Sequence, residues 1–415
     1  MTNTTPKHIL IVGGGFAGIA AALRLEKKQI PNTKIVLLAD RPHFEYHGAL
    51  YRTVTGSSPL EVCIPLRDIF KGKHVEVLED KVSSIDKATQ TVHGSSGSKY
   101  HYDYLVLTVG SVTNFFGIPG LEQYSYGMKT VPEALRLKQH ITETLLTCKI
   151  DFANKLEQIC DAHFVVIGGG ATGVELAAEI MVYAKKLAGE YGIEPSLVSV
   201  DLIEGASKIL PALPASFTNR IEHHLRGLGV NVFLNRSIER EEYESVYMKD
   251  MQLKARTVIW TAGVRANELY TSAGLVVDKR GKAEVDAQLC AKGETNIFVG
   301  GDGANTPRSG MAQTALDHGK HIAEVIAALI QIKKPPELKE GEPIYAIPSG
   351  PGWAGVRWGT FQVYGKRGWA VRRLVDFIVF ANVLPFGKAI KVFRTGQSIC
   401  DSCSICSVEA PHQHV

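Results

Sequence analysis

The sequence predicts an α/β chain built on two copies of one strand–turn–helix–strand unit, followed by a smaller module. Three observations carry that prediction. A glycine-rich turn, Gly13-Gly14-Gly15-Phe16-Ala17-Gly18, follows the apolar run at residues 9–12. A second turn of the same form, Gly168-Gly169-Gly170-Ala171-Thr172-Gly173, starts 155 residues later, after the apolar run at 164–167. Each turn opens a helical stretch and then a second strand that ends at an acid, Asp40 in one unit and Glu204 in the other. In such a unit the first glycine makes the tight turn, the second lets backbone approach a pyrophosphate, and the third lets helix and strand pack closely. The phosphates then sit at the positive end of the helix. Two Rossmann-like dinucleotide-binding domains are therefore expected, with Asp40 and Glu204 accepting from ribose hydroxyls. A carboxylate there repels a 2′-phosphate, so Glu204 favours NADH over NADPH.

Composition bounds the alternatives. The 415 residues are 45% hydrophobic and 21% charged, values of a globular chain rather than a disordered or fibrous one. The net charge of +4 is too small to point to nucleic acid, and no nucleic-acid partner is expected. The charge is also uneven: residues 366–396 carry seven Lys/Arg against one Asp, so one basic patch sets the sign. No run approaches the about 18 apolar residues of a membrane span. The N-terminus lacks the pattern of a secretory leader, and seven cysteines are too few for a disulfide scaffold, so a reducing compartment is expected.

Taken in order, residues 9–12 form a strand, the helix runs to about residue 28, and residues 35–38 form the next strand. Short strands follow within 73–92, and a strand at 101–109 delivers Thr108-Val109-Gly110. Gly117–Gly120, with Pro119, marks a domain boundary. The second unit places a strand at 164–167, a helix at 174–188 and a strand at 197–203. Residues 257–260 read as a strand opening Thr261-Ala262-Gly263, and 296–299 as one delivering Gly300-Gly301-Asp302. A helix is expected over 311–332 and a surface loop over 333–343. The domains are then 1–120 and 265–345 for the first fold, 121–264 for the inserted second, 346–396 for a C-terminal module, and 397–415 for a tail.

The order of the two glycine turns, Thr108-Val109-Gly110 and Gly301-Asp302 resembles the two-dinucleotide-binding-domain flavoproteins. That resemblance implies FAD on the first turn, NADH on the inserted one, and a hydrogen bond from Asp302 to the flavin ribityl or pyrophosphate region. Within that superfamily the chain is similar to the type II NADH:quinone oxidoreductases. Leu50-Tyr51-Arg52-Thr53-Val54-Thr55-Gly56 leading to Ile64-Pro65-Leu66-Arg67-Asp68-Ile69-Phe70, then Thr257-Val258-Ile259-Trp260-Thr261-Ala262-Gly263-Val264, carry the likeness. So does Ala312-Gln313-Thr314-Ala315-Leu316-Asp317-His318-Gly319, which resembles the family's quinone-site motif, with His318 where glutamine is usual. The likeness covers about residues 8–330.

Carried over residue by residue, the resemblance implies FAD contacts from Gly13, Gly14, Gly15, Phe16, Ala17, Gly18, Asp40, Arg41, Val82, Thr108, Gly110, Gly301, Asp302, Ala312 and Gln313. It implies NADH contacts from Gly168, Gly170, Ala171, Thr172, Gly173, Glu175, Glu204, Ala262 and Gly263. Gln313 and His318 would face the quinone. Glu175 would orient the nicotinamide or relay protons, and a place on the first helical turn would keep it ionised beside the dipole; a plain dipole-balancing acid is the competing reading.

Two other chemistries stay open. Disulfide reductases need a cysteine pair beside the flavin, and neither Cys63 nor the widely separated Cys148 and Cys160 forms one by spacing. A sulfide:quinone reductase would use cysteines against the flavin, and Cys160 is the nearest candidate. A NADH-sensing flavoprotein resembling apoptosis-inducing factor would instead use its reduced state to bind a partner.

In the C-terminal module, residues 369–384 are apolar around Asp376, and a short second helix places Phe386, Ile390 and Phe393 beside Lys388, Lys391 and Arg394. About fifteen apolar residues suit a helix lying in a membrane interface rather than crossing it. Basic groups near an anionic surface contribute about 1 kcal/mol each. Peripheral attachment at the cytoplasmic face of the cell membrane and a homodimer are both expected, with a dimer interface competing for the same face. The tail Cys400-x-x-Cys403-x-x-Cys406 with His412 has metal-ligand spacing but falls short of a closed site by cysteines alone, and the flavin chemistry needs no metal.

Overall fold

The computed structural model describes residues 6–57, 59, 62–153, 162–339 and 341–395. Lys7–Val12 is the middle strand of a five-stranded parallel sheet. Thr33–Ala39 and then Glu76–Glu79 lie on one side of it, Tyr104–Leu107 and then Ile297–Val299 on the other. Its apolar runs are buried because helices cover a parallel sheet on its faces. Helix Phe16–Lys28 packs beside helix Ala312–Ile330, so closely that a Cβ on Gly319 would run into the Ala17 carbonyl.

The second unit is a four-stranded parallel sheet in the order Asn231–Phe233, Ser199–Ile203, His163–Ile167, Thr257–Trp260. Helix Ala171–Glu190 opens from its glycine turn. This unit is inserted in the first, and the chain enters and leaves it through one antiparallel ribbon, Ser111–Thr113 against Val264–Ala266. Short helix Leu50–Val54 of the first unit packs on helices Val131–Ala153 and Ala171–Glu190 of the second.

Several expectations shift. The strand expected over 101–109 is interrupted, because Asp103 turns back to accept the His8 amide (2.8 Å) and the Lys7 ammonium (2.7 Å). The strand expected from 197 begins at Ser199, since Pro195–Leu197 forms one 3₁₀ turn. A meander of Ile238–Glu242, Ser245–Met248 and Met251–Lys254 is added to the second unit. The C-terminal module opens with an antiparallel sheet, Tyr345–Pro348, Ala354–Trp358 and Phe361–Val363, that the hydropathy pattern had not shown.

Two helices follow, Gly365–Val383 and Phe386–Thr395. The first buries Arg372, Asp376, Val379, Phe380 and Val383 and turns Leu374 and Ile378 outward. On the second, Ala389 and Val392 face inward, while Phe386, expected on a shared face with Ile390 and Phe393, is 67% exposed. No described helix is long and apolar enough to cross a membrane. Cys148 is disulfide-bonded, an exception to the reading of the cysteines as separate thiols. Cys160 and the tail, Cys400, Cys403, Cys406 and His412 included, lie outside the described residues, among which no His/Cys/Asp/Glu cluster could hold a metal.

Candidate functional site

Val12 pairs with both Leu38 and Leu107, so three strands end level and their C-terminal ends form one crevice. That is where an open α/β sheet binds its ligand. Gly13 turns there with φ +112°, a conformation that suits glycine. Thr108, at the end of the neighbouring strand, donates its hydroxyl to the Val12 carbonyl (2.8 Å) and approaches that of Gly13 (3.2 Å). A Cβ on Gly18 would collide with the Gly13 carbonyl, whereas one on Gly15 would meet no protein atom within 4 Å. Gly18 thus serves packing, and Gly15 leaves room for a ligand's phosphates.

The second unit repeats this arrangement atom for atom. Gly168 has φ +110°, and Thr261 donates to the Ile167 carbonyl (2.8 Å) and approaches that of Gly168 (3.1 Å). A Cβ on Gly173 would meet the Gly168 carbonyl, and one on Gly170 nothing within 4 Å. Ala262 lies against Gly168, and Gly263 lies under the ring of Phe116, itself 60% exposed with φ +53°. Glu204 accepts the Gly169 amide (2.6 Å) and the Ala206 amide (2.7 Å), which fixes its carboxylate beside the turn. Ala171 and Thr172 are exposed at the helix start.

The first cradle continues into a cleft. Its wall holds Gly13, Gly14, Gly15, Phe16, Ala17, Asp40, Arg41, Val82, Thr108, Gly110, Gly301 and Asp302, all expected from the sequence. Ala312 and Gln313 are not part of that wall. The helix they open presents Ala315 there instead, and Gln313 is exposed with its Oε1 accepting the Ile344 amide (3.3 Å). His318 also departs from expectation. It is fully buried, and its Nδ1 accepts the Gly301 amide (3.2 Å), so it supports the Gly301-Asp302 loop from behind rather than facing an acceptor.

Other wall residues had no motif to announce them. Ser111 donates to Asp302 (2.7 Å) and accepts from the Lys129 ammonium (2.9 Å), which places a cation in the cleft. Glu45 is buried, pairs with Arg41 (2.6 Å) and has His43 and His47 within 4 Å. Burial alone would raise its pKa, but His43, Arg41 and His47 outweigh that and hold it below the usual carboxylate range.

Glu175 is the fifth residue of its helix, not in the first turn, and the dipole does not keep it ionised. Burial pushes its carboxyl up to about 8, with Arg372 and Arg52 pulling down and Asp376 and Glu179 adding to the rise. At neutral pH it therefore carries a proton. Helix Leu50–Val54 packs on its helix, and charges of both Leu50–Val54 and the first C-terminal helix act on it.

The residues present fit two dinucleotides, because in each cradle the one glycine whose Cβ would meet no protein atom is the middle one. The family model described as pyridine nucleotide-disulphide oxidoreductase matches residues 7–319. The type II NADH:quinone oxidoreductase of Staphylococcus haemolyticus is 28% identical over 337 residues, covering 78% of this chain and 83% of that one. That of Staphylococcus aureus (strain NCTC 8325 / PS 47) is 26% identical over 400 residues, covering 93% and 98%. The solved structure of NDH2 from Plasmodium falciparum in complex with NADH superposes with a TM-score of 0.83 at 19% identity, over 94% of this chain and 97% of that one. The sulfide:quinone oxidoreductase of Aquifex aeolicus gives 0.74 at 22% identity, over 96% and 98%. At such identities the superpositions show a shared fold.

Proposed function

The chain belongs to the pyridine nucleotide-disulphide oxidoreductase family, and from that premise we propose that it is a type II NADH:quinone oxidoreductase. It takes a hydride from NADH, passes two electrons to a quinone and pumps no proton. The observation that carries the reading is a pair of equivalent dinucleotide cradles beside a cleft whose described wall contains no cysteine. FAD, when bound, supplies the two-electron chemistry, taking hydride from one partner and giving electrons to the next.

The chain supplies the rest. Gly13, Gly15 and the helix behind them hold a pyrophosphate, and Ser111, Lys129 and Asp302 hold the polar middle of the flavin. Gly168, Gly170, Gly173, Ala262 and Gly263 hold the second nucleotide, with Glu204 disfavouring a 2′-phosphate. Glu175 keeps a proton on its carboxyl and gives it to the reduced acceptor, and His318 is a positioning residue for the Gly301-Asp302 loop. The quinone arrives from a membrane surface. Leu374, Ile378 and Phe386, exposed beside Lys366, Arg367 and Lys391, suit a chain lying on an anionic leaflet, the cytoplasmic one in a cell. A second copy of the chain is the competing occupant of that face.

Sulfide chemistry would need thiolates at the flavin. Cys63 and Cys290 are buried away from the cleft, and burial pushes the Cys290 thiol up to about 11. The test is to purify the flavin-loaded protein and mix it with NADH, NADPH or sulfide, each with a soluble quinone. Fast bleaching of the flavin by NADH, reversed when quinone is added, is the expected result. Bleaching by sulfide alone would overturn the reading. Slow turnover with every acceptor, together with a NADH-driven change of oligomeric state, would favour the sensing protein instead.

A further inference from the structure

The first C-terminal helix carries a single acid, Asp376, and it is 0% exposed. Four donors converge on it. Tyr46 Oη gives a hydrogen bond to Oδ1 (2.6 Å) and Arg52 Nη2 one to Oδ2 (2.8 Å). Arg372 Nη2 lies 3.2 Å from Oδ1 and Arg373 Nη1 3.3 Å from Oδ2. Burial would raise the Asp376 pKa, but Arg372, Arg52 and Tyr46 outweigh it, so the group is an anion among three cations. If the helix needed only to be held down, an apolar residue of similar size would serve as well, because burying ions costs desolvation. Tyr46 already makes edge contacts with Phe380 and with Phe16 of the first glycine turn, which fix the packing.

The anion instead sets where two cations point. Arg372 is buried, donates to the Gly48 carbonyl one residue from the cleft wall at His47, and has its Nε unpaired among the described residues. Arg372 and Arg52 are the cations that act on Glu175; the other charged or titratable groups facing it are Asp376, Glu179 on its own helix and Tyr51 on helix Leu50–Val54. With Asp376 present, both guanidiniums are already engaged. Without its charge, they would turn to the carboxylates that also feel them, Glu175 and Glu179.

We propose that Asp376 is a positioning residue for Glu175: by engaging Arg52 and Arg372 it keeps them from forming an ion pair with Glu175, which so retains the proton it delivers. The proposal rests on the reading of Glu175 as the acceptor's proton donor. It joins three parts of the chain, since Asp376 lies on the C-terminal module, Arg52 on the flavin-binding unit and Glu175 on the inserted one.

The test uses the flavin-loaded enzyme and its Asp376→Asn variant. Asn keeps the shape and one acceptor oxygen while removing the charge. The protonated-carboxyl infrared band of Glu175, identified by its loss in Glu175→Gln, is titrated in each protein, and quinone reduction is followed against pH after a single flavin reduction by NADH. In Asp376→Asn the band should disappear about one pH unit earlier, the size of a shift made by a newly unmasked opposite charge. Quinone reduction should then fall roughly fivefold at pH 8 and stay within about twofold at pH 6, with flavin reduction by NADH unchanged. Asp376→Glu should recover most of the profile.

An unchanged titration alongside a lower Tm would make Asp376 a structural clamp and overturn the proposal. If Asp376→Asn does not fold, Arg52→Gln decides: removing one cation should move the Glu175 titration upward, and no movement would refute the proposal. A shifted band in an enzyme that does not pass electrons from NADH to quinone, wild type included, would keep the positioning role and refute the functional reading alone.

Discussion

Glu175 shows how much one side chain's surroundings decide. Its folded-state pKa of about 8 stands above the 4.5 of an ordinary glutamate, so the folded chain binds a proton that the unfolded chain releases. The contribution of Glu175 to stability therefore falls as pH rises between about 4.5 and about 8. Glu175→Gln, which cannot ionise, should lose that dependence, and its Tm should gain on the wild type as pH climbs from 5 to 8. The same variant should slow quinone reduction by about 10²-fold while flavin reduction by NADH changes little, as expected for a lost general acid. Stopped-flow absorbance separates the two steps. Gly15 and Gly18 make a second comparison. Gly15→Ala should leave the flavin-free protein as stable as before but weaken FAD retention, because its Cβ points where only a ligand would be. Gly18→Ala should destabilise the fold by about 1–3 kcal/mol, since its Cβ meets the Gly13 carbonyl. Thermal melts with and without FAD tell the two apart. Glu204→Gln should raise use of NADPH relative to NADH about tenfold, the effect of about 1.4 kcal/mol, measured as a ratio of kcat/KM.

Among elements, those with a period or a punctuation mark were legible. Both glycine turns, their strands and their helices could be placed to within a few residues, because a buried parallel strand is a continuous apolar run and its exit is a glycine. The threonines that tie each turn, Thr108 and Thr261, both open a Thr-x-Gly at a strand end, yet only Thr108 was expected to contact a cofactor. The cleft wall from His43 to His47 and at Lys129 was illegible for another reason. Those residues come from loops and strand ends that reach the cleft through long-range folding, and Glu45, His43 and Lys129 look like ordinary surface residues in a sequence. Asp376 reads in sequence as an interruption of an apolar helix, whereas in space Tyr46, Arg52, Arg372 and Arg373 converge on it. That helix makes its own prediction. Leu374→Glu with Ile378→Glu, on the outward face, should abolish binding to anionic vesicles and leave turnover with a soluble quinone unchanged. If the face instead joins two copies, the same pair should leave vesicle binding intact and change the mass seen by light scattering.

For the molecule as a whole, the match to the family model ends at residue 319, but the structure does not divide there. Residues 344–395 supply Asp376 to Tyr46 and Arg52, and Lys388 pairs with Asp68 at 2.9 Å. A chain cut after residue 343 should expose Tyr46 and leave Arg52 without that carboxylate. It should bind FAD at least tenfold more weakly in a fluorescence titration, a loss typical of breaking a buried ion pair. The repeated motif makes a second dinucleotide unit legible in the sequence, but the joints between the parts depend on distant pairs that no local pattern records.

The antiparallel ribbon of Ser111–Thr113 and Val264–Ala266 has one more consequence. Because the inserted segment departs and returns at paired residues, Thr113 beside Val264, its two ends are neighbours in space. Such a piece is portable: it could be exchanged for a homologous segment with a different donor preference through two adjacent splice points. Choice of electron donor would then be inherited as a single contiguous cassette, free to change while the resident flavin's grip and the acceptor's doorway stay as they are.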